Sequence, residues 1–204
     1  MTIRLHQGDL PDDYAAGDSV AIDTETLGLN PHRDRLCLVQ LSLGDGSADL
    51  VQIAPGQTSA PNLERLLRDR SVTKLFHFAR FDVAALYKAF GVMTEPVYCT
   101  KIASKLTRTY TDRHGLKDIV RELLGVEISK QQQSSDWGAP DLSDAQLAYA
   151  ASDVLHLHAL RARFDTLLER EGRGAFAQAC FAFLPVRAAL DLAGWAETDI
   201  FAHM

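Results

Sequence analysis

The chain is short of cysteine, of basic charge and of long apolar runs, and each shortage removes a class of protein. No apolar run reaches the roughly 20 residues that a membrane helix needs. The N-terminus carries Arg4, His6 and Asp9 where a secretory signal would have an apolar core. Three cysteines (Cys37, Cys99 and Cys180) are an odd count among apolar neighbours. That predicts buried, reduced thiols in a cytoplasmic protein rather than a disulfide framework. The 21 basic residues fall short of the 27 acidic ones, giving a formal net charge of −6. Binding of long duplexes is dominated by phosphate neutralisation, so a broad basic face is not expected. Clustered acids that hold cations remain compatible with such a balance, because the occupied site is not acidic. Internal repeats and low-complexity tracts are absent too. What is present, 204 residues of which 47% are hydrophobic, can bury a core as one domain spanning 1–204.

Strand and helix signals alternate in the first half. Val20 to Thr26, Leu36 to Ser42 and Asp49 to Ile53 read as strands, the last two joined as a hairpin through Gly44-Asp45-Gly46. Pro61 suits the first position of a helix carrying Leu63, Leu66 and Leu67. Lys74 to Phe78 reads as a fourth strand, and after it comes a helix through Val83, Leu86, Tyr87 and Phe90 that Gly91 stops. Helices are then expected over about 100–107, 115–124 and 143–171, with a polar loop from Lys130 to Gly138. From Gly172 a further helix is expected, broken by Pro185. Strands first and helices after imply an α/β fold with a mixed sheet.

Three short segments carry the chemistry. Asp23 and Glu25 are two apart in a strand, so both carboxylates leave one face of the sheet. Asp82 stands in the first turn of a helix that comes after an apolar strand. Tyr149 and Asp153, four apart, share a helix face away from the apolar stripe of Leu147, Ala151, Val154 and His158. Each alone suits a solvated acid or a half-buried tyrosine. Together, four carboxylates suit two Mg²⁺ or Mn²⁺ ions, hard cations that prefer oxygen. Two such ions about 3.5–4 Å apart can clamp the attacking and leaving oxygens of a phosphodiester. Tyr149 would orient or deprotonate the attacking water, with help from the cations because its reference pKa is near 10.

Ile22-Asp23-Thr24-Glu25-Thr26, His77-Phe78-Ala79-Arg80-Phe81-Asp82 and Tyr149-Ala150-Ala151-Ser152-Asp153 resemble the three exonuclease motifs of the DEDD superfamily. Tyrosine four residues before the last acid is similar to the DEDDy branch, as in RNase D. Leu116-Lys117-Asp118, Leu124-Gly125 and Ser135-Asp136-Trp137 also resemble RNase D segments. The resemblance runs from about residue 18 to 170. It implies an RNase H-like (DnaQ-like) fold, a mixed central sheet flanked by helices, and 3′→5′ hydrolysis that releases 5′-monophosphates. RNase D proper continues into HRDC domains, which this length does not accommodate; residues 172–204 read instead as a helical extension. The 106–118 segment closely resembles the stand-alone nano-RNase C family, which implies diribonucleotides and other very short RNAs as substrate, DNA as a further candidate substrate, and a homo-octamer. The alternative is an exonuclease acting on longer RNA or on DNA ends.

Eight residues are candidates for substrate contact. Thr24 lies between the two acids. Leu27, two beyond Glu25 on the same strand face, could wedge between bases or simply end the strand core. His77 could meet phosphate or ribose, or be packed in its strand. The stretch 100–121 holds six basic residues and two acids, a local excess in an acidic chain. Arg108, His114 and Lys117 are its candidates for holding a 5′-phosphate, either within their own subunit or across a subunit interface. Gln133 and Trp137 could contact sugar or base, and Trp137 serves equally well as a packing anchor.

Overall fold

Leu36-Cys37-Leu38-Val39-Gln40-Leu41-Ser42 has almost no polar alternation, as expected of a strand covered on both faces, and all seven residues are buried. The computed structural model describes residues 2–129 and 131–203. Its strands are β1 (Thr2–Gln7), β2 (Ser19–Thr26), β3 (Leu36–Ser42), β4 (Ser47–Gln52), β5 (Thr73–Phe76) and β6 (Val97–Cys99). Its helices are α1 (Pro61–Arg68), α2 (Ala79–Phe90), α3 (Thr100–Thr107), α4 (Leu116–Leu124), α5 (Asp144–Leu155), α6 (Leu157–Arg170) and α7 (Gly174–Leu190). One mixed sheet has the order β1-β4-β3-β2-β5-β6. The β2–β3–β4 ribbon is antiparallel, whereas β1 joins β4, and β5 and β6 extend from β2, in parallel. The fold is therefore the mixed sheet flanked by helices that the sequence implied.

Two features of β2 prepare a site. Its pairing with β5 runs only from Ser19 to Ala21, so Asp23 and Glu25 stand beyond the shared ladder, near the start of α2. Its pairing with β3 is continuous to Glu25 and then slips by one residue. Such a bulge bends the strand and re-aims the residues beyond it. In open α/β sheets, ligands collect beyond the carboxyl ends of the strands, where β2 and β5 both point.

Several expectations are corrected. β1 and β6 were not foreseen: β1 is a largely exposed edge strand of mixed composition and β6 has three residues. β5 ends at Phe76, so His77 and Phe78 lie in the turn to α2 rather than in a strand. The single helix expected over 143–171 is two, α5 and α6, separated at His156. This break lets α5 lie across β2, β3 and β4 while α6 packs on α3 and α4. Pro185 sits inside α7 without ending it; its missing N–H removes one rung of the helix and leaves the others. Cys37 and Cys99 are buried free thiols, but Cys180 faces outward on α7. Lys130, where the polar loop was expected to begin, lies outside the described residues.

α7 continues through a π turn, Asp191–Trp195. The segment Gly174–Trp195, whose most apolar 18-residue stretch has a mean hydropathy of 1.3, has the length and apolarity of a membrane span, a property the sequence expectations did not include. A core helix of a soluble protein meets the same measure; here 28% of that stretch is buried, with Ala177, Phe181, Leu184 and Ala188 on the inner side. Phe181 packs its ring 4.6 Å from that of Tyr98 on β6. Asp191 receives a two-pronged bond from Arg80 of α2, at 2.6 and 2.8 Å, and further bonds from Arg187. The C-terminal segment thereby braces the helix that carries Asp82.

Candidate active site

Asp23 and Glu25 leave the face of β2 that α5 covers. Between them, Thr24 turns to the other face and its hydroxyl donates to Asp82 Oδ1 at 2.7 Å. α5 begins with a full capping box, Ser143 accepting from the Gln146 backbone N–H while the Gln146 side chain accepts from Ser143 N–H. That fixed start sets the helix phase that brings Asp153 over β2. Ligand oxygens of Asp23, Glu25 and Asp153 lie within 4.8 Å of one another. Asp82 is the buried fourth carboxylate, one step behind and tied to Thr24.

These acids raise one another's proton affinity. Burial pushes Asp23 well above the ordinary carboxylate range, and Asp82, Asp153 and Glu25 add to it. Glu25 is pushed up to about 9 by burial, then by Asp153 and Asp82. Asp82 rises to about 7 through burial, opposed by the bond from Thr24. Among the described residues, the charges that raise Asp23 and Glu25 are those of other carboxylates. Tyr149 is raised above its ordinary value by burial, then by Asp153, Glu25 and Asp23. Its hydroxyl is a proton donor at neutral pH, suited to holding a water or a phosphate oxygen.

The residues fit hard divalent cations. All donors are carboxylate oxygens, the set such ions prefer, and three of them are concentrated within 4.8 Å of one another. One further observation agrees. Gln40, directly across the ladder from Asp23, is fully buried, and neither its Nε2 nor its Oε1 has a partner among the described residues. A buried, unbonded amide costs about 1–3 kcal/mol, so a bound ion with its waters would complete what the protein leaves open.

The cluster lies at the base of a cleft of about 700 Å³, within the range of small-ligand sites. Asp23, Thr24, Glu25, Leu27, His77, Lys117, Gln133, Trp137, Tyr149 and Asp153 all line it. Leu27 lies just past the end and the bulge of β2, in the same cleft as Asp23 and Glu25, and its 54% exposure there removes the core-leucine alternative. Trp137 is buried beside Cys37, Leu38, Leu50 and Ala150, with its ring 6.0 Å from that of Tyr149. It is a packing anchor that also borders the cleft. His77 Nδ1 lies 2.9 Å from Thr100 Oγ1, whose own proton goes to the Phe76 carbonyl. His77 therefore donates from Nδ1.

Arg108 and His114 are not brought to the cleft. Arg108 is only 1% exposed and is spent on Glu122, the Ser104 hydroxyl and the Arg113 carbonyl. His114 bonds Ser104 through Nδ1, and burial lowers its pKa. Sequence reasoning chose these two from the basic stretch and passed over Lys101, which does line the cleft. Their spacing along the chain was the only signal, and it could not tell which cation α4 would bury. Phe81 and Gln40 were also missed: each reads as an ordinary core position.

A family model described as 3′-5′ exonuclease matches residues 8–169. Ribonuclease D of Gluconacetobacter diazotrophicus is 40% identical over 154 residues, which are 76% of this chain and 39% of that relative. The chain thus spans about two fifths of the length of the curated relative. Two solved structures match along the full length of both chains. Brucella melitensis NrnC bound to pGG is 68% identical with a TM-score of 0.97. Brucella melitensis NrnC with bound Mg²⁺ is 66% identical with a TM-score of 0.95.

Proposed function

The chain belongs to the 3′-5′ exonuclease family, and from that premise we propose that it degrades very short RNAs, dinucleotides foremost, to 5′-mononucleotides. The observation that carries this reading is the convergence of Asp23, Glu25 and Asp153 at the base of the cleft. Asp23, Glu25 and Asp153, with Asp82 beside them, would hold two divalent cations, Mg²⁺ or Mn²⁺. Such ions, when bound, activate a water and offset charge on the leaving 3′-oxygen. The Mg²⁺ in one Brucella structure and the pGG in another support both parts of the reading.

The chain's own residues divide the remaining work. Tyr149, protonated and next to Asp153, orients the water or a phosphate oxygen. Trp137 keeps the Tyr149 ring in place. Leu27 offers an exposed apolar wedge to terminal bases, and Thr24 steadies Asp82 behind the acids. Lys101 and Lys117 draw phosphate into an otherwise acidic cleft. His77 and Gln133 border the sugar or phosphate path.

Self-association belongs to the same reading. Phe176, Val186, Trp195 and Phe201 are exposed on the C-terminal segment; an apolar face of that kind suits contact between copies, with an octamer as the assembly. A cytoplasmic setting accords with the three free cysteines.

The test compares wild type, Asp23→Asn and Tyr149→Phe on a 5′-phosphorylated dinucleotide, with chromatographic identification of products. Wild type should release 5′-mononucleotides in Mg²⁺ and nothing in EDTA. Asp23→Asn should be inactive, and Tyr149→Phe should lose roughly 10²–10⁴-fold in kcat, the usual worth of a proton-handling group, while both still fold. Normal turnover by Asp23→Asn in Mg²⁺ would remove the metal assignment.

A further inference from the structure

α2 opens on a residue whose conformation and exposure folding alone does not explain. Phe78 has φ 70° and ψ 45°, and it is the one non-glycine residue with positive φ among the described residues. The left-handed region brings Cβ against the backbone, and a bulky side chain is an unusual occupant; glycine takes it freely. Burial does not offset the strain, since the ring is 45% exposed. Capping does not explain it either, because Phe78 makes no side-chain bond to the helix start. Strain of this kind gathers at sites where a side chain must be presented in one direction.

The direction is informative. His77 and Phe81, on either side of Phe78 in sequence, both line the cleft. Lys101, another lining residue, holds its Nζ 4.4 Å from the centroid of the Phe78 ring. Phe78 does not itself line the cleft, but an exposed aromatic ring against a cleft-lining cation has the composition of single-strand binding surfaces, where bases stack and lysines meet the backbone. We propose that Phe78 is a stacking platform for a nucleobase of the bound substrate, with Lys101 set against the adjoining phosphate. The left-handed turn is what projects the ring outward, so the strain at Phe78 serves substrate binding. This inference rests on reading the cleft as an oligonucleotide site.

The strain makes a clean experiment possible. Phe78→Gly relieves the backbone and removes the ring, so it should melt at a higher temperature than wild type. Its KM should nevertheless rise about tenfold, the weakening expected when one stacked base is lost, with a smaller change in kcat. Phe78→Trp should restore KM to near the wild-type value, and its fluorescence should be quenched when nucleotide binds. A wild-type KM in Phe78→Gly overturns the inference. So does a change confined to the mass of the assembly, which would place the ring in a contact between copies. Both variants are measured on whichever RNA length the wild type turns over best. Failure of the short-RNA reading then shows in the order of lengths, and failure of the stacking role in the KM of Phe78→Gly.

Discussion

Glu25 is held at about 9 and Asp82 at about 7, both chiefly by burial, and Asp23 is raised in the same direction. Free carboxylates ionise near 4, so between about pH 4 and 9 the folded, metal-free protein binds more protons than the unfolded chain. Stability then falls as pH rises through that window, because the folded state must give up protons it favours. A divalent cation substitutes for those protons. Melting temperatures in EDTA should therefore decline from pH 5 to pH 9, and saturating Mg²⁺ should raise them more at pH 9 than at pH 5. An equal Mg²⁺ shift at both pH values would mean that the ion binds elsewhere.

At the scale of elements, the basic stretch around α3 and α4 separates cations that hold the fold from cations that face the cleft. Arg108 joins the end of α3 to Glu122 of α4 and to the Arg113 carbonyl, with its guanidinium buried. Arg108→Met should keep the apolar stem and lose the bonds, lowering stability by about 2 kcal/mol, as for hydrogen bonds to charged groups. The KM for a dinucleotide should stay unchanged. By contrast, Lys117→Met should raise KM with little loss in denaturation midpoint. Urea unfolding set beside steady-state kinetics distinguishes the two.

The same elements show what the sequence could convey. β3 and the helix from Pro61 to Arg68 were legible because apolar runs, a well-placed proline and glycine stops are local signals. So were Asp23 with Glu25 and Tyr149 with Asp153 as pairs, since their spacings fix one strand face and one helix face; grouping them with Asp82 drew on the resemblance to the exonuclease motifs. β1 was not legible, because a half-exposed edge strand has no apolar alternation to display. The α5–α6 break at His156 was not either, since no proline or glycine marks it and tertiary packing decides it. The burial of Arg108 was not legible for a related reason: its partner Glu122 is fourteen residues away on another helix.

Across the whole molecule, the C-terminal segment does two things at once. Its inner side closes the core against Tyr98 and grips Arg80 through Asp191. Its outer side presents Phe176, Val186 and Trp195. Exposed apolar side chains gathered in this way suit contact with another surface. Light scattering should give a mass several times the 22.5 kDa of one chain, and Phe176→Glu with Val186→Glu should reduce it. A wild-type mass near 22.5 kDa would remove the assembly from the proposal.

The cleft and its acids are joined to a short substrate most directly by turnover against length. The measurement is kcat/KM in Mg²⁺ for 5′-phosphorylated RNA of about two, five and twenty nucleotides, with DNA of matched length; the cleft suits a small ligand. The highest value is expected for the RNA dinucleotide, with a steep fall as length grows and no turnover in EDTA. A flat profile, or higher values on the longest RNA or on DNA, would contradict the proposed function and identify an exonuclease of longer ends.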